Sequence, residues 1–210
     1  MSSLDMPERT HNSDRMIKIG RALYRCIREQ GYASTKLQDI AKQAEMSPSH
    51  VRYYFTGKQA ILEWYFEQTS QGYQSGMKRL VASTPADPIV TLSRGFFPES
   101  PQRRANLGVF IELRTLALHH PALLKQLKEH DRIQIGFIAE LLAPVTRDMD
   151  PVAVAEIAYS LAQGLYMGET LQRFATSSAH EYFAATLRAL IDSQSIPNAS
   201  SENQAMRTTS

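Results

Sequence analysis

Residues 35–55 read TKLQDIAKQAEMSPSHVRYYF, Thr35 to Phe55, and the pattern divides into two short helices joined by one turn. In the first half Leu37, Ile40, Ala41 and Ala44 recur at spacings of three and four, one apolar stripe of a helix. Thr35 with Gln38 three residues on predicts a capping box that starts it. The second half opens with Ser47 as N-cap and Pro48 at the first helical position, where a missing N–H costs nothing. Of this second helix only Val51 and Phe55, four apart, are expected in the core, which turns Ser49, His50, Arg52 and Tyr53 outward. A helix this short, with one thin apolar edge and a face of hydrogen-bonding side chains, fits a DNA major groove.

Upstream, Ile19, Ala22, Leu23, Cys26 and Ile27 share one face of a helix expected over 14–30, and Gly31 supplies the left-handed cap that closes it. Residues 1–13 lack an apolar period and are expected to form a disordered arm, with Arg9 and Arg15 available to DNA. Downstream, Thr56 with Gln59 reads as a second capping box, opening a fourth helix that carries Ala60, Ile61, Trp64 and Tyr65 and reaches Leu80 or Val81. Ser83 to Pro88 is the clearest break, and Gly95, Pro98 and Pro101 mark another. A sixth helix is expected over 102–119. His120-Pro121 and Asp150-Pro151 read as caps and first positions of helices over 121–143 and 151–174. Ser178 with Glu181 reads as a third capping box, opening a last helix to about Ser193. With no strand pattern and about nine helices, the fold class is all-α. The organisation expected is a three-helix helix-turn-helix domain over 1–58, a long fourth helix leading into a helical bundle over 59–195, and a disordered tail over 196–210.

From about Ile19 to Trp64 the chain resembles the DNA-binding domain of TetR-family transcriptional regulators. The likeness is carried by Gly31-Tyr32, by Thr35 with Asp39-Ile40-Ala41, and by Tyr54-Phe55, Lys58 and Ala60-Ile61. About a quarter of the chain is covered, and the rest agrees in length and helix order. The resemblance implies phosphate contacts from Thr35 and Lys36 at a helix N-terminus, further phosphate contacts from Tyr54 and Lys58, and a groove-facing set of Ser47, Ser49, His50, Arg52 and Tyr53. Arg52 is favoured for base reading, because a guanidinium bonds guanine O6 and N7 together, worth about 1–3 kcal/mol in discrimination. Family members often carry Tyr at the position of Arg52 and His at that of Tyr53, so an operator sequence does not transfer. They usually carry Gly where Glu45 stands. An unchanged turn therefore predicts a positive φ at Glu45, at about 1 kcal/mol relative to Gly.

Charge agrees in direction. Residues 1–58 hold ten Lys or Arg against six Asp or Glu, whereas 59–210 hold thirteen against fifteen. The positive excess sits with the groove-reading helix, as phosphate neutralisation requires. The lone Cys26 excludes an intramolecular disulfide and reads as a small core residue. With no apolar leader or spanning run, a cytoplasmic location is expected.

Catalysis finds no footing. His119, His120 and His130 with Glu112 and Glu129 lack a metal-ligand spacing, and no nucleophile elbow or Gly-rich phosphate loop occurs. No catalytic residue, metal or cofactor is expected.

As family members do, the C-terminal domain is expected to hold a small-molecule pocket, with Trp64, Phe96, Phe110, Arg114, Phe137, Tyr159, Gln163, Tyr166 and Glu169 as candidates. Each aromatic among them has plain core packing as its alternative. Arg114 and Glu169 stand out as charges amid apolar neighbours. The last two helices are apolar around much of their circumference, which calls for partners on two sides. Packing on a second copy through Ala158, Leu161, Ala162, Leu165, Phe183, Leu187 and Leu190 is the expected answer. The reading is a homodimeric repressor on a double-stranded DNA operator, released by a small, largely apolar effector, with no membrane partner. A regulator gated by a protein partner and a helical dimer that does not bind DNA remain as alternatives.

Overall fold

The computed structural model describes residues 8–97, 109 and 111–193. Residues 1–7 of the expected arm, the tail from 196 and the candidate Phe110 lie outside the described residues. Among the described residues every regular element is a helix. In order these are α1 (Glu8–Ser34), α2 (Leu37–Gln43), α3 (Pro48–Tyr54), α4 (Lys58–Ala82), α5 (Pro88–Phe96), α6 (111–117), α7 (Pro121–Leu142), α8 (Pro151–Thr170) and α9 (Thr176–Ser193). They form two compact units, Met1–Gly72 with Gly108–Leu127, and Tyr73–Leu107 with Lys128–Ser210. α4 and α7 each contribute to both units.

Helices that start at proline begin where the sequence puts them. Ser47 accepts the His50 amide ahead of Pro48 at 3.2 Å, and Asp150 accepts the Val152 amide ahead of Pro151 at 3.0 Å. Asp87 does the same for Val90 ahead of Pro88 at 2.9 Å. The three expected capping boxes do not form. At α2 the N-cap is Lys36, whose amide donates to Asp39 at 2.8 Å, while the Thr35 hydroxyl donates to the Gly31 carbonyl at 2.7 Å. At α4 the Gln59 amide donates to Glu63, one turn on, at 2.9 Å. α9 starts at Thr176, two residues before Ser178. α1 likewise begins at Glu8 rather than 14, so residues 8–13 are helical.

The first unit is built on Ile19, Leu23 and Ile27 of α1, Ile40 of α2, Val51 and Phe55 at α3, and Ile61 of α4, with Ala117 and Leu123 closing the same cluster. α1 breaks at Gly31, φ 77 and ψ 160, a mirror-β conformation that a Cβ would resist. Here the Tyr32 amide donates to the Glu112 carboxylate, so α6 satisfies the end of α1. Gly20 admits the Tyr65 ring so closely that a Cβ would lie 2.5 Å from its Cδ2. The second unit centres on Leu92, Phe96 and Phe97, Ile138 and Leu142, Ala158 and Ala162, and Phe183 and Leu187. Ser93 donates to the His180 carbonyl at 2.9 Å, and Arg188 pairs with Asp87 at 2.7 Å, tying α5 to α9.

Candidate functional site

α3 is held from below and left open above. Val51 is 0% exposed and Phe55 6%, whereas Tyr53 is 76% exposed and Ser49 and Arg52 are exposed beside it. His50 and Tyr54 are half-buried, their rings 5.4 Å apart, and Tyr54 meets Tyr53 edge-on at 5.0 Å. Ser47 is exposed, with its hydroxyl 3.0 Å from that of Ser49. The outward set expected from the sequence thus lies along one short helix. Before it, the turn passes through Glu45 at φ 54, as its substitution for glycine requires. Lys18 of α1 bonds the Glu45 carboxylate at 2.7 Å and holds it below the usual carboxylate range.

The phosphate candidates divide. Lys36 is exposed at the start of α2. Thr35 is 1% exposed with its hydroxyl spent on Gly31, so its side chain supports the α1–α2 corner. The Lys58 ammonium donates to the carbonyls of Tyr32 and Thr35 at 2.8 and 2.9 Å and sits 4.3 Å from the Tyr32 ring centroid. Lys58 therefore caps the end of α1, through a bond between residues too far apart in the chain to leave a local pattern. Burial, first, and then Asp39 and Glu29 push the Cys26 thiol up, which suits an inert core residue.

The effector candidates fall in different units. Trp64 and Arg114 belong to the first, where Trp64 packs edge-on to Phe55 at 5.6 Å. Phe96, Phe137, Tyr159, Gln163, Tyr166 and Glu169 belong to the second. There Phe96 lies 6.3 Å from both Tyr159 and Tyr166, and Phe97 and Phe183 complete the aromatic cluster. The Tyr159 hydroxyl donates to Asp131 at 2.8 Å and that of Tyr166 to the Phe96 carbonyl at 3.2 Å. Glu169 is 6% exposed, three residues from Tyr166 on the same face of α8. Sequence reasoning missed Gln134 of α7, which is 1% exposed with neither amide atom hydrogen-bonded among the described residues. Its single uncharged side chain amid apolar neighbours offered no pattern to notice.

The interface candidates lie on the inner side of α8 and α9. Ala158, Ala162, Phe183 and Leu187 are at most 1% exposed and belong to the core of their own unit. Leu161, Leu165 and Leu190 are half-buried against that core. Outside, α8 leaves the apolar Val152, Ile157 and Met167, followed by Leu171, beside Ser160, Gly164 and Thr170, and α9 leaves Tyr182, Ala185 and Ala189 beside Glu181, Thr186, Arg188 and Asp192. Among the described residues no helix is long and apolar enough to cross a membrane.

Residues 19–64 match the family model described as bacterial regulatory proteins, tetR family. Residues 85–194, just over half of the chain, match the model described as BetI-type transcriptional repressor, C-terminal. The Bacillus subtilis protein named probable HTH-type transcriptional regulator YttP is 28% identical over 61 residues, so the match spans 29% of this chain and 30% of that protein. A TetR transcription regulator from Haloarcula marismortui superposes with a TM-score of 0.74 at 19% identity, over 86% of this chain and 98% of the other. The fatty acid degradation regulator FadR from Bacillus halodurans gives 0.71 at 16%, over 82% and 94%. A Saccharomonospora viridis protein in complex with choline gives 0.70 at 21%, over 86% and 96%. At these identities the solved structures share the fold.

Proposed function

We propose, for a chain that belongs to the TetR family of bacterial regulatory proteins, a homodimeric repressor whose paired α3 helices hold an operator until a small molecule releases them. The chain is a DNA-binding transcriptional regulator, not an enzyme. The observation that carries the finer reading is the asymmetry of α3: Val51 and Phe55 anchor it while Ser49, Arg52 and Tyr53 stay exposed on its other side. Residues 1–58 serve the operator and 59–195 serve the effector and the second copy, in the cytoplasm. The exposed apolar residues of α8 and α9 support the dimer, because Ile157, Met167, Leu171 and Tyr182 lose water only against another surface.

The effector is a small, largely apolar molecule taken by the second unit. Gln134 supports it, since a buried amide without partners costs about 1–3 kcal/mol and a ligand's polar group would relieve it. Of the two opposite charges expected as anchors, Glu169 shares a unit with the aromatic cluster and Arg114 does not. That favours an effector with positive charge, for which carboxylate and ring faces are the fitting chemistry; the choline bound by the Saccharomonospora viridis protein is of this class. Release requires the effector to bind one state of the dimer better than the other. The test is a titration of cationic and anionic metabolites, read by Trp64 emission and by affinity for a selected duplex. Trp64 touches Phe55, the residue that ends α3, so its emission responds when α3 shifts. A compound that moves both readouts with one midpoint is the expected result. A broad panel that moves neither sinks small-molecule gating and favours a protein partner.

A further inference from the structure

Arg15 of α1 reaches His50 of α3, its Nη1 3.0 Å from the imidazole Nε2. A guanidinium is always protonated and has only donors, so Nε2 is the acceptor of this bond. A neutral imidazole that accepts at Nε2 carries its proton on Nδ1. The ring is further braced by Tyr54, 5.4 Å away, and its backbone amide is tied to Ser47. Nδ1 has no hydrogen-bond partner among the described residues, and the side chain is half-buried rather than enclosed. Arg15 also belongs to a row. Lys18 bonds Glu45 in the turn at 2.7 Å, and Arg25 bonds the Gln43 carbonyl at the end of α2 at 2.7 Å. Cations of α1 thus fasten α2, the turn and α3 in succession, and only the bond to α3 ends on a side chain of the outward face.

We propose that Arg15 locks His50 as the Nδ1–H tautomer, so that His50 meets the groove as a hydrogen-bond donor of fixed sense. Such a donor is satisfied by guanine or adenine N7 or by thymine O4. It is not satisfied by cytosine, whose major-groove edge offers the N4 amino donor. The inference rests on the DNA-reading role of α3 proposed above. It makes Arg15 a positioning residue and gives His50, beside Arg52, a defined part in specificity.

Two readouts test it on the full chain. Long-range proton–nitrogen NMR of the histidine rings reports the tautomer without DNA, and selection from random duplexes reports its consequence. The unmodified protein and Arg15→Lys, which also only donates, should show Nδ1–H and disfavour cytosine at one position per half-site by about tenfold. Arg15→Ala should show mixed tautomers and admit cytosine there, with thermal unfolding confirming that each variant is folded. An Nε2–H tautomer in the unmodified protein overturns the lock. So does an Arg15→Ala protein that keeps the cytosine discrimination while losing affinity for all duplexes alike, which would make Arg15 a phosphate contact. If no variant selects any sequence, the reading role of α3 fails with it, and the NMR result separates that failure from a failure of the lock.

Discussion

α3 and the α8–α9 pair both turn a face away from their own core, and the two faces are opposites. α3 leaves Ser49, Arg52 and Tyr53 outside, groups that bond to phosphates and base edges. α8 leaves Val152 43%, Ile157 39% and Met167 43% exposed, with Leu171 63% exposed just past its end, groups that offer water no hydrogen bond, and α9 adds the largely apolar ring of Tyr182 at 51%. The inner faces obey one rule, since Val51 and Phe183 are both 0% exposed. A helix's partner is announced by what the helix leaves out: hydrogen-bonding groups call for a wet, charged partner, and apolar ones for a protein surface.

Charge placed on each side of α8–α9 breaks that comparison most sharply. Leu187→Asp buries an unpaired carboxylate at a site 1% exposed and should cost more than about 4 kcal/mol, unfolding the chain in a thermal scan. Ile157→Asp should leave the chain folded and halve its mass in sedimentation equilibrium. An unchanged mass for Ile157→Asp would remove the outer face of α8 from the interface. Next, Gly20→Ala forces a Cβ to within 2.5 Å of the Tyr65 ring and should cost about 1–3 kcal/mol in chemical denaturation, with assembly unaltered. Loss of the dimer in that variant would show that the two faces are not independent.

Arg52→Ala should cost about 1–3 kcal/mol at one base position per half-site and little on random DNA. Equal weakening on both would make Arg52 a phosphate contact. Smaller still, Glu45→Gly should stabilise by up to about 1 kcal/mol, because Glu45 holds φ 54; losing its exposed partner Lys18 offsets little. A destabilised variant would mean that the Lys18 bond outweighs the backbone strain. The slightest effect is in pH. The Glu45 carboxyl is lowered by its hydrogen bond to Lys18, so the pair's stabilisation is present above the usual carboxylate range and fades as pH falls through the folded value. The melting difference between the unmodified protein and Lys18→Met should narrow in acid; a constant difference would assign it to packing.

Legibility followed how many alternatives each residue has. Proline at 48, 88, 121 and 151 marks helix starts because a fixed φ and a missing N–H leave it few other places. Hydroxyls and amides have rivals of equal worth: Thr35 goes to Gly31, Gln59 to Glu63, and the boxes they suggested do not close. Gly31 and Glu45 were readable as positive-φ positions because so few residues tolerate that geometry in a tight connection. On α8 the sequence shows an apolar circumference but not its inside. Small Ala158 and Ala162 went inward while Ile157 and Met167 stayed out, a choice made by the neighbouring helices. The Arg15–His50 and Lys58–Tyr32 bonds join residues 35 and 26 apart in the chain and carry no local signal.

In the proposed function two outward faces work together, one pairing chains and the other reading DNA. Selection of bound sequences from random duplex DNA by the purified protein, with the mass of the selected complex measured by sedimentation, tests it most directly. The expected result is an inverted repeat with half-sites about one helical turn, roughly 34–36 Å, from centre to centre, bound by paired chains. Enrichment of a single unpaired site by one chain, or no enrichment at all, would contradict it.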